Sequence, residues 1–476
     1  MTSNSGSQPG RFKARVILLT LTWLVTLAGA AMIGALAYKH RANIRSLIGT
    51  APPADIRETN LYILRLTKMR IEGEGRDGSI DALDDGVLLV NRKGAAWFYD
   101  AQKQATPLKL RVPVNTSDFE ADPHNQNAVG GDRFGVKDIF VQPRGAEVRI
   151  LASYTYWHSD KHCYALRMSA LETSMSRIRS GAGAAPADWT TVYETLPCRT
   201  LNKLRGGKFA VTLGAGGRIA LLSDSEFLLS VGGFGAESES AESEQVEPAG
   251  DDSPYGKTVL VNLETGAARI YSRGHRNPEG LAAGSDSRVW LTEHGPKGGD
   301  ELNLVLDGKD YGWPHVTYGT EYEMLTWPGN PQQGRHEGYE KPMYVWVPSI
   351  GVSQLMVVER DAFPSWKGDL LVSSLVGMTL YRVRVEDNRV IFAEPIPIGH
   401  RIRDIAETEL GDIVLKTDDD LLIYVERADA VAGIGEDARI ARGQVLATRC
   451  QSCHTFEPGG ENRIGQTFTG TVCRYE

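Results

Sequence analysis

An all-β propeller is the fold class the sequence predicts, and three observations predict it. From about residue 55 to 427, short apolar runs alternate with Gly, Asp, Asn and Pro turns. No long amphipathic helix interrupts them. Glycine is abundant, 51 of 476 residues, as a chain of many tight turns requires. Short strands repeated over roughly 370 residues exceed an ordinary sandwich, and a radial array of small sheets accommodates them. The repeats are too divergent to number the blades.

Residues 16–38, VILLTLTWLVTLAGAAMIGALAY, carry no charge. As a helix they would extend roughly 34 Å, enough to cross a bilayer. Arg11, Lys13 and Arg15 precede them and Lys39, Arg41 and Arg45 follow, so flanking charge barely sets the orientation. A transmembrane anchor is the expectation. A cleaved signal ending at Ala35-Leu36-Ala37 is the competing reading, although its apolar stretch would be long. Residues 1–15 are then cytoplasmic and residues 39–54 a linker.

The strand region follows at 55–427, with runs such as GVLLVNRKGAAWFYD, AEVRILASYTYW, GRIALLSDSEFLLSVG, KTVLVNLETGAARIYS and GDIVLKTDDDLLIYVE. Two stretches depart from it. Residues 237–254, ESESAESEQVEPAGDDSP, are acidic and almost free of apolar residues, which reads as a solvated loop, with a calcium site as the minor alternative. Residues 318–342 are aromatic and turn-rich, long enough to form a wall over one face of the scaffold.

Cys163 and Cys198 sit in two strand-like runs, KHCYALRMSAL and WTTVYETLPCR. As neighbours these strands could carry a disulfide closing a loop of about 35 residues. Two buried thiols are the alternative.

After a linker at 428–436, residues 437–476 read as a small α-helical segment resembling the first half of a cytochrome c domain. DARIARGQVLATRC has helical spacing and ends on Cys450-Gln-Ser-Cys453-His454. This C-x-x-C-H box is the attachment signal for haem c. The two thiols form thioethers, and His454 supplies an axial nitrogen to the haem iron. No Met follows Met378 to serve as the second axial ligand. Either the chain is truncated or the iron is five-coordinate. Cys473 is left without an expected partner. Covalent haem attachment takes place outside the bacterial cytoplasm. The expected location is therefore the inner membrane, crossed once, with the main domain in the periplasm. A formal charge of −8 argues against a nucleic-acid partner.

The motifs that carry chemistry lie between residues 274 and 322, GHRNPEGLAAGSDSRVWLTEHGPKGGDELNLVLDGKDYGWPHVTYGTEY, and continue through WVPSIGVSQL, FPSWKGDLLVSSL and HRIRDI. This ordered set resembles the soluble glucose and aldose sugar dehydrogenases that use pyrroloquinoline quinone (PQQ), the glucose/sorbosone dehydrogenase family. The resemblance covers residues 252–426 well and 136–231 loosely. It implies six blades. It implies that Arg276, Asn277, Arg401 and Arg403 contact PQQ and that Trp346 borders its pocket. It also implies that the carbonyls of Gly295 and Pro296 hold calcium.

The residue chemistry agrees. PQQ carries three carboxylates, and holding it calls for cationic forks and a hard cation. Arg401 and Arg403 alternate by two, so both can share one strand face. Each residue also has a plainer reading: Arg403 as the ion-pair partner of Asp404 or another acid, Gly295-Pro296 as a turn.

Three departures qualify the resemblance. The family's general-base His falls near Leu204, and a leucine accepts no proton. Val376 stands where the soluble glucose dehydrogenases have a cofactor-binding Lys. Glu279 replaces a Gln. His275 and His294 are the candidate replacement bases, with Lys203 or Lys208 possible only at a depressed pKa. The expected function is oxidation of an aldose or related alcohol by hydride transfer to PQQ, with electrons leaving through the haem to a respiratory acceptor. The alternative is a catalytically inactive propeller that binds a sugar, glycan or protein partner, with a vestigial haem segment.

Overall fold

The computed structural model describes residues 55–428 except 72–77, 126–127, 129, 181–182, 204–208, 212–213, 235–249, 251 and 321–333. The expected membrane anchor at 16–38, the haem residues Cys450, Cys453 and His454, Cys473, and the positions Leu204 and Lys208 lie outside the described residues. So does most of the acidic run at 237–254. Among the described residues no helix is long and apolar enough to cross a membrane.

Two strands, β1 (Asp55–Glu58) and β2 (Ile63–Arg70), open the described chain. Blade 1 is β3 (Gly78–Leu83), β4 (Gly86–Asn91), β5 (Ala95–Tyr99) and β6 (Ala105–Arg111). A short helix, α1 (Thr116–Ala121), leads to blade 2: β7 (Val136–Arg144), β8 (Glu147–His158), β9 (Cys163–Ser174) and β10 (Thr190–Glu194). A two-stranded ribbon, β11 (Asn202–Lys203) and β12 (Phe209–Ala210), precedes blade 3. That blade comprises β13 (Gly216–Leu221), β14 (Glu226–Val231), β15 (Lys257–Asn262) and β16 (Ala268–Arg273). Blade 4 is β17 (Pro278–Ala283), β18 (Val289–Glu293), β19 (Asp300–Val305) and β20 (Tyr344–Trp346). Blade 5 is β21 (Val352–Val357), β22 (Leu370–Ser374), β23 (Thr379–Glu386) and β24 (Arg389–Pro397). Blade 6 is β25 (Ile402–Glu407), β26 (Ile413–Thr417) and β27 (Leu421–Arg427), completed by β2 and β1.

Strands β3, β7, β13, β17, β21 and β25 each touch the next, and β25 touches β3. The described chain is therefore a six-bladed β-propeller, as expected. Antiparallel pairing of β2 with β27, from Leu64↔Arg427 to Arg70↔Leu421, builds the last blade from both ends of the domain and closes the ring. The strands next to the axis-lining ones explain the unbroken apolar runs. β4 (GVLLVN) and β26 (IVLKT) are buried nearly throughout because neighbouring blades cover both faces. Leu89 of blade 1 packs with Val414 and Tyr424 of blade 6, which shows how the core is distributed between blades.

Within blade 2, Cys163 and Cys198 form a disulfide with Cα atoms 5.7 Å apart. The adjacent residues Tyr164 and Arg199 exchange two backbone hydrogen bonds of 2.8 Å. Closing a loop of 35 residues stabilises by about 3–4 kcal/mol in the chain-entropy account.

Candidate functional site

Five of the six axis-lining strands break register at the same place, near their first residue. The breaks fall between Val136 and Asp138, Gly216 and Ile219, Pro278 and Gly280, Val352 and Leu355, and Ile402 and Asp404. A bulge inserts an unpaired residue and re-aims its side chain, and bulges concentrate beside active sites. Here the inserted residues include Lys137, Arg218, Glu279 and Arg403, and all four line one cleft of about 400 Å³ at that end of the ring.

The same cleft receives Arg276, Asn277, His294, Gly295, Pro296 and Arg401. Structure thus brings together the three sequence-predicted arginines, the Asn and the Gly-Pro step, although 125 residue positions separate Arg276 from Arg401. With Arg133 the described residues of the lining hold six cationic side chains against one carboxylate, Glu279. Sequence reasoning missed Arg133, Lys137 and Arg218. A signal existed, since Gly-Val-Lys-Asp-Ile (135–139), Gly-Gly-Arg-Ile (216–219) and Arg-Ile-Arg-Asp-Ile (401–405) open three blades alike.

Beneath the cleft lies a buried ionic floor. Arg218 donates from Nη1 to Asp138 Oδ1 at 2.9 Å and to Asp404 Oδ1 at 3.1 Å, and from Nε to the Glu279 carbonyl at 2.8 Å. Ser79 donates to Asp404 Oδ2 at 2.6 Å. Burial would lower the Arg218 guanidinium, but the two aspartates outweigh it and raise it. Burial also raises the Asp138 carboxyl, to about 6, against the pull of Arg218. Strands from blades 1, 2, 3, 4 and 6 meet in this one network.

Arg401 and Arg403 do share one face. Both bind Asp418, Arg401 through Nε at 2.9 Å and Arg403 through Nε at 2.8 Å and Nη2 at 3.0 Å. Asp404 is not the partner of Arg403, because it faces the floor on the opposite side of β25. Although burial opposes it, the two guanidiniums hold the Asp418 carboxyl below its usual range.

The Arg276 side chain lies over the Trp313 ring at 5.2 Å and donates from Nη1 to the carbonyls of His294 at 3.3 Å and Gly295 at 3.1 Å. Asp300, fully buried, fastens this wall. Its Oδ1 accepts from Gly295 N–H at 3.2 Å and its Oδ2 from Ile350, Gly351 and Val352 N–H at 2.7–3.2 Å. At Gly295 only glycine fits, because a Cβ would lie 2.2 Å from the Gly298 carbonyl oxygen.

The two candidate histidines have different fates. His294 lines the cleft, yet both ring nitrogens are engaged: Nε2 donates to the Val352 carbonyl at 2.6 Å and Nδ1 accepts from Asn277 Nδ2 at 3.2 Å. Asn277 spends its other amide proton on Glu279 Oε1 at 2.8 Å. His275 does not reach the cleft. It is fully buried, contacts Ser272 Oγ at 2.8 Å and Glu293 Oε1 at 3.0 Å, and stacks on Tyr311. Glu293 in turn accepts the Arg276 backbone N–H at 2.7 Å. His275 thus corrects the expectation of a base: its ring is turned into the blade, where it positions the Arg276 backbone.

Trp346 is a second correction. It is buried between blades 4 and 5, edge-on to Tyr344 and Tyr381, and does not line the cleft. Val376 is 63% exposed and stands on the rim. The position of the family's His, at Leu204, lies outside the described residues.

Whether the wall suits an anionic, carbonyl-rich cofactor can be tested on its buried polar atoms. Among the described residues, Arg276 Nε and Asn277 Oδ1 are buried without a hydrogen-bond partner. Such atoms are costly unless a ligand completes them. A donor and an acceptor left open on adjacent cleft residues, among six cations, fit a polar, anionic group.

Comparison with known proteins gives one family. The family model described as Glucose / Sorbosone dehydrogenase matches residues 78–424. A protein of Synechocystis sp. of uncharacterized function is 29% identical over 310 residues, 62% of this chain and 70% of that one. Aldose sugar dehydrogenase of Escherichia coli (strain K12) is 36% identical over 180 residues, 36% of this chain and 45% of that one. In structure, the soluble aldose sugar dehydrogenase from Escherichia coli, in its apo form, matches with a TM-score of 0.59 at 23% identity, covering 76% of this chain and 99% of that one.

Proposed function

The chain belongs to the glucose/sorbosone dehydrogenase family, and on that premise we propose that its axial cleft oxidises an aldose sugar or related alcohol with PQQ as hydride acceptor. The observation that carries the reading is the pair of unpartnered buried atoms, Arg276 Nε and Asn277 Oδ1, in a cleft lined by six cations. Arg276, Arg401 and Arg403 would hold the carboxylates of PQQ, with Asn277 on its polar edge. The carbonyls of Gly295 and Pro296 would hold calcium. Gly295 O already attracts one cationic group, the Arg276 guanidinium at 3.1 Å, so this carbonyl is aimed at positive charge. When bound, PQQ with calcium supplies the electron-pair sink for the hydride that leaves the sugar carbon.

The chain's own residues must then take the hydroxyl proton. His275 is sealed away, and both nitrogens of His294 are hydrogen-bonded. Glu279 is the one carboxylate on the cleft wall among the described residues. Asn277 Nδ2 holds its Oε1 at 2.8 Å, which leaves Oε2 to accept the proton. Glu279 is also the residue that replaces the family's Gln, so the lost His and the gained acid are complementary departures. His294 orients Asn277, which orients Glu279.

Electrons would leave one at a time through haem c on Cys450, Cys453 and His454 to a respiratory acceptor, in a periplasmic domain anchored in the inner membrane by residues 16–38. The missing family His favours a second reading, a propeller that binds sugar, glycan or protein without turnover. One experiment separates them. The full chain, supplied with calcium and PQQ, is tested for dye reduction with a panel of aldoses, alongside a fluorescence titration of PQQ. Sugar-dependent reduction supports the enzyme. Binding without reduction supports the second reading. No PQQ binding overturns the proposal.

A further inference from the structure

A cluster outside the cleft carries a further site. Asp122 follows α1 in the connection from β6 to β7, His124 lies two residues on, and His162 stands at the tip of the β8–β9 hairpin. Strand β7 starts at the cleft with Lys137 and runs away from it; β8 returns, and His158 pairs with Cys163 at its far end. The cluster therefore lies at the cleft end of blade 2.

Asp122 Oδ1 is 3.0 Å from His124 Nδ1, and Asp122 Oδ2 is 3.1 Å from His162 Nδ1. One ligand atom from each of the three residues falls within 4.8 Å of the others. Bonds of about 2.0–2.1 Å to a common ion place neighbouring ligand atoms roughly 3.0–3.4 Å apart, and each imidazole Nδ1 already stands at such a separation from one of the two carboxylate oxygens, Oδ1 for His124 and Oδ2 for His162. The carboxylate is built in. Its side chain is 5% exposed, and it accepts from Trp157 Nε1–H at 3.1 Å and from His124 backbone N–H at 2.9 Å. Such outer hydrogen bonds fix a ligand's orientation. Both imidazoles face solvent, with side chains 66% and 50% exposed, and their ring centroids are 4.1 Å apart. The disulfide at Cys163 holds the chain next to His162.

We propose that Asp122, His124 and His162 form a binding site for a divalent transition metal of the zinc type, clasping the β6–β7 connection to the β8–β9 hairpin. Two imidazole nitrogens and one carboxylate oxygen select zinc, nickel or copper over calcium and magnesium, which take oxygen shells. On binding, each imidazole gives up the Nδ1 proton it now directs at Asp122, carries its remaining proton on Nε2, and presents the Nδ1 lone pair to the ion. Solvent completes the shell on the exposed side. The site is chemically separate from any calcium held by Gly295 and Pro296.

The test uses the full chain, stripped of transition metals and held in excess calcium, titrated with Zn2+ by calorimetry. A His124→Ala/His162→Ala variant is titrated in parallel. Both rings are exposed, so the variant is expected to fold, which circular dichroism checks. Other zinc ligands, such as free cysteines, are common to both proteins and cancel. The expected result is one more zinc bound by the wild type, of micromolar affinity or tighter, and a zinc-dependent rise in Tm that the variant lacks. Equal stoichiometry and affinity in the two proteins overturns the proposal, as does the absence of zinc binding.

Discussion

Arg218 and Asp404 lie 186 residues apart in the chain and 3.1 Å apart across the centre of the ring. With Asp138 they tie blades 2, 3 and 6 under the cleft. Removing one partner of a buried ion group costs more than the group itself contributes, because the other charges stay buried. Arg218→Ala leaves two buried aspartates uncompensated. Its expected cost is about 3–5 kcal/mol, read from urea unfolding followed by circular dichroism. A loss under about 1 kcal/mol would mean that water enters the floor and screens it.

Asp81, two residues beyond Ser79 on β3, predicts a pH dependence. Burial pushes its carboxyl from 3.8 up to about 8, against hydrogen bonds from Val141 and Ala82 N–H and helped by Asp138 and Asp404. A raised carboxyl pKa means that the folded state holds a proton that the unfolded state has released between these values. This group therefore makes folding less favourable as pH rises from about 4 to about 8. Asp81→Asn should flatten that part of the curve. Unfolding midpoints of wild type and variant at pH 5 and pH 9 decide it, since a difference independent of pH would assign Asp81 an ordinary pKa.

Arg403 is clamped by Asp418 before any ligand arrives. Losing its charge-assisted bonds to a carboxylate should weaken PQQ binding about 10–100-fold. Asp418→Asn frees both arginines without removing them, so a smaller loss is expected. Fluorescence titration with PQQ measures both. Unchanged affinity in Arg403→Ala would remove Arg403 from the cofactor site.

Glu279→Gln restores the side chain that the family carries. If Glu279 takes the hydroxyl proton, kcat should fall by about 10²–10⁴-fold while PQQ binds as well or better, because a negative charge has left the wall. Glu279→Asp should keep part of the activity. Retained kcat in Glu279→Gln would return the search to the segment around Leu204.

His275→Ala separates positioning from chemistry. Truncating this buried, doubly hydrogen-bonded ring should cost about 2–4 kcal/mol of stability and loosen PQQ through Arg276. The shape of the pH–rate profile should not change. Loss of one limb of that profile would instead make His275 a titrating catalytic group.

Much of this protein is legible in its sequence. Short apolar runs bounded by Gly-rich turns determine the strands, because that punctuation is written locally along the chain. The cationic motifs at Arg276-Asn277 and Arg401–Arg403 are equally plain, as is the pairing of Cys163 with Cys198. Tertiary structure decided the rest. Lys137, Arg218 and Glu279 stand on axis-lining strands, and bulges turn them into the cleft. Local alternation carries no sign of which residue a partner strand will leave unpaired. His275 and His294 are 19 positions apart in one motif, yet one is sealed in a blade and the other faces the cleft. Asp122, His124 and His162 come together only because β8 and β9 return His162 to the connection that bears the other two. Residue types fix which chemistry is available. Ring closure through β2 and β27, a pairing across the whole domain, fixes which of those groups meet.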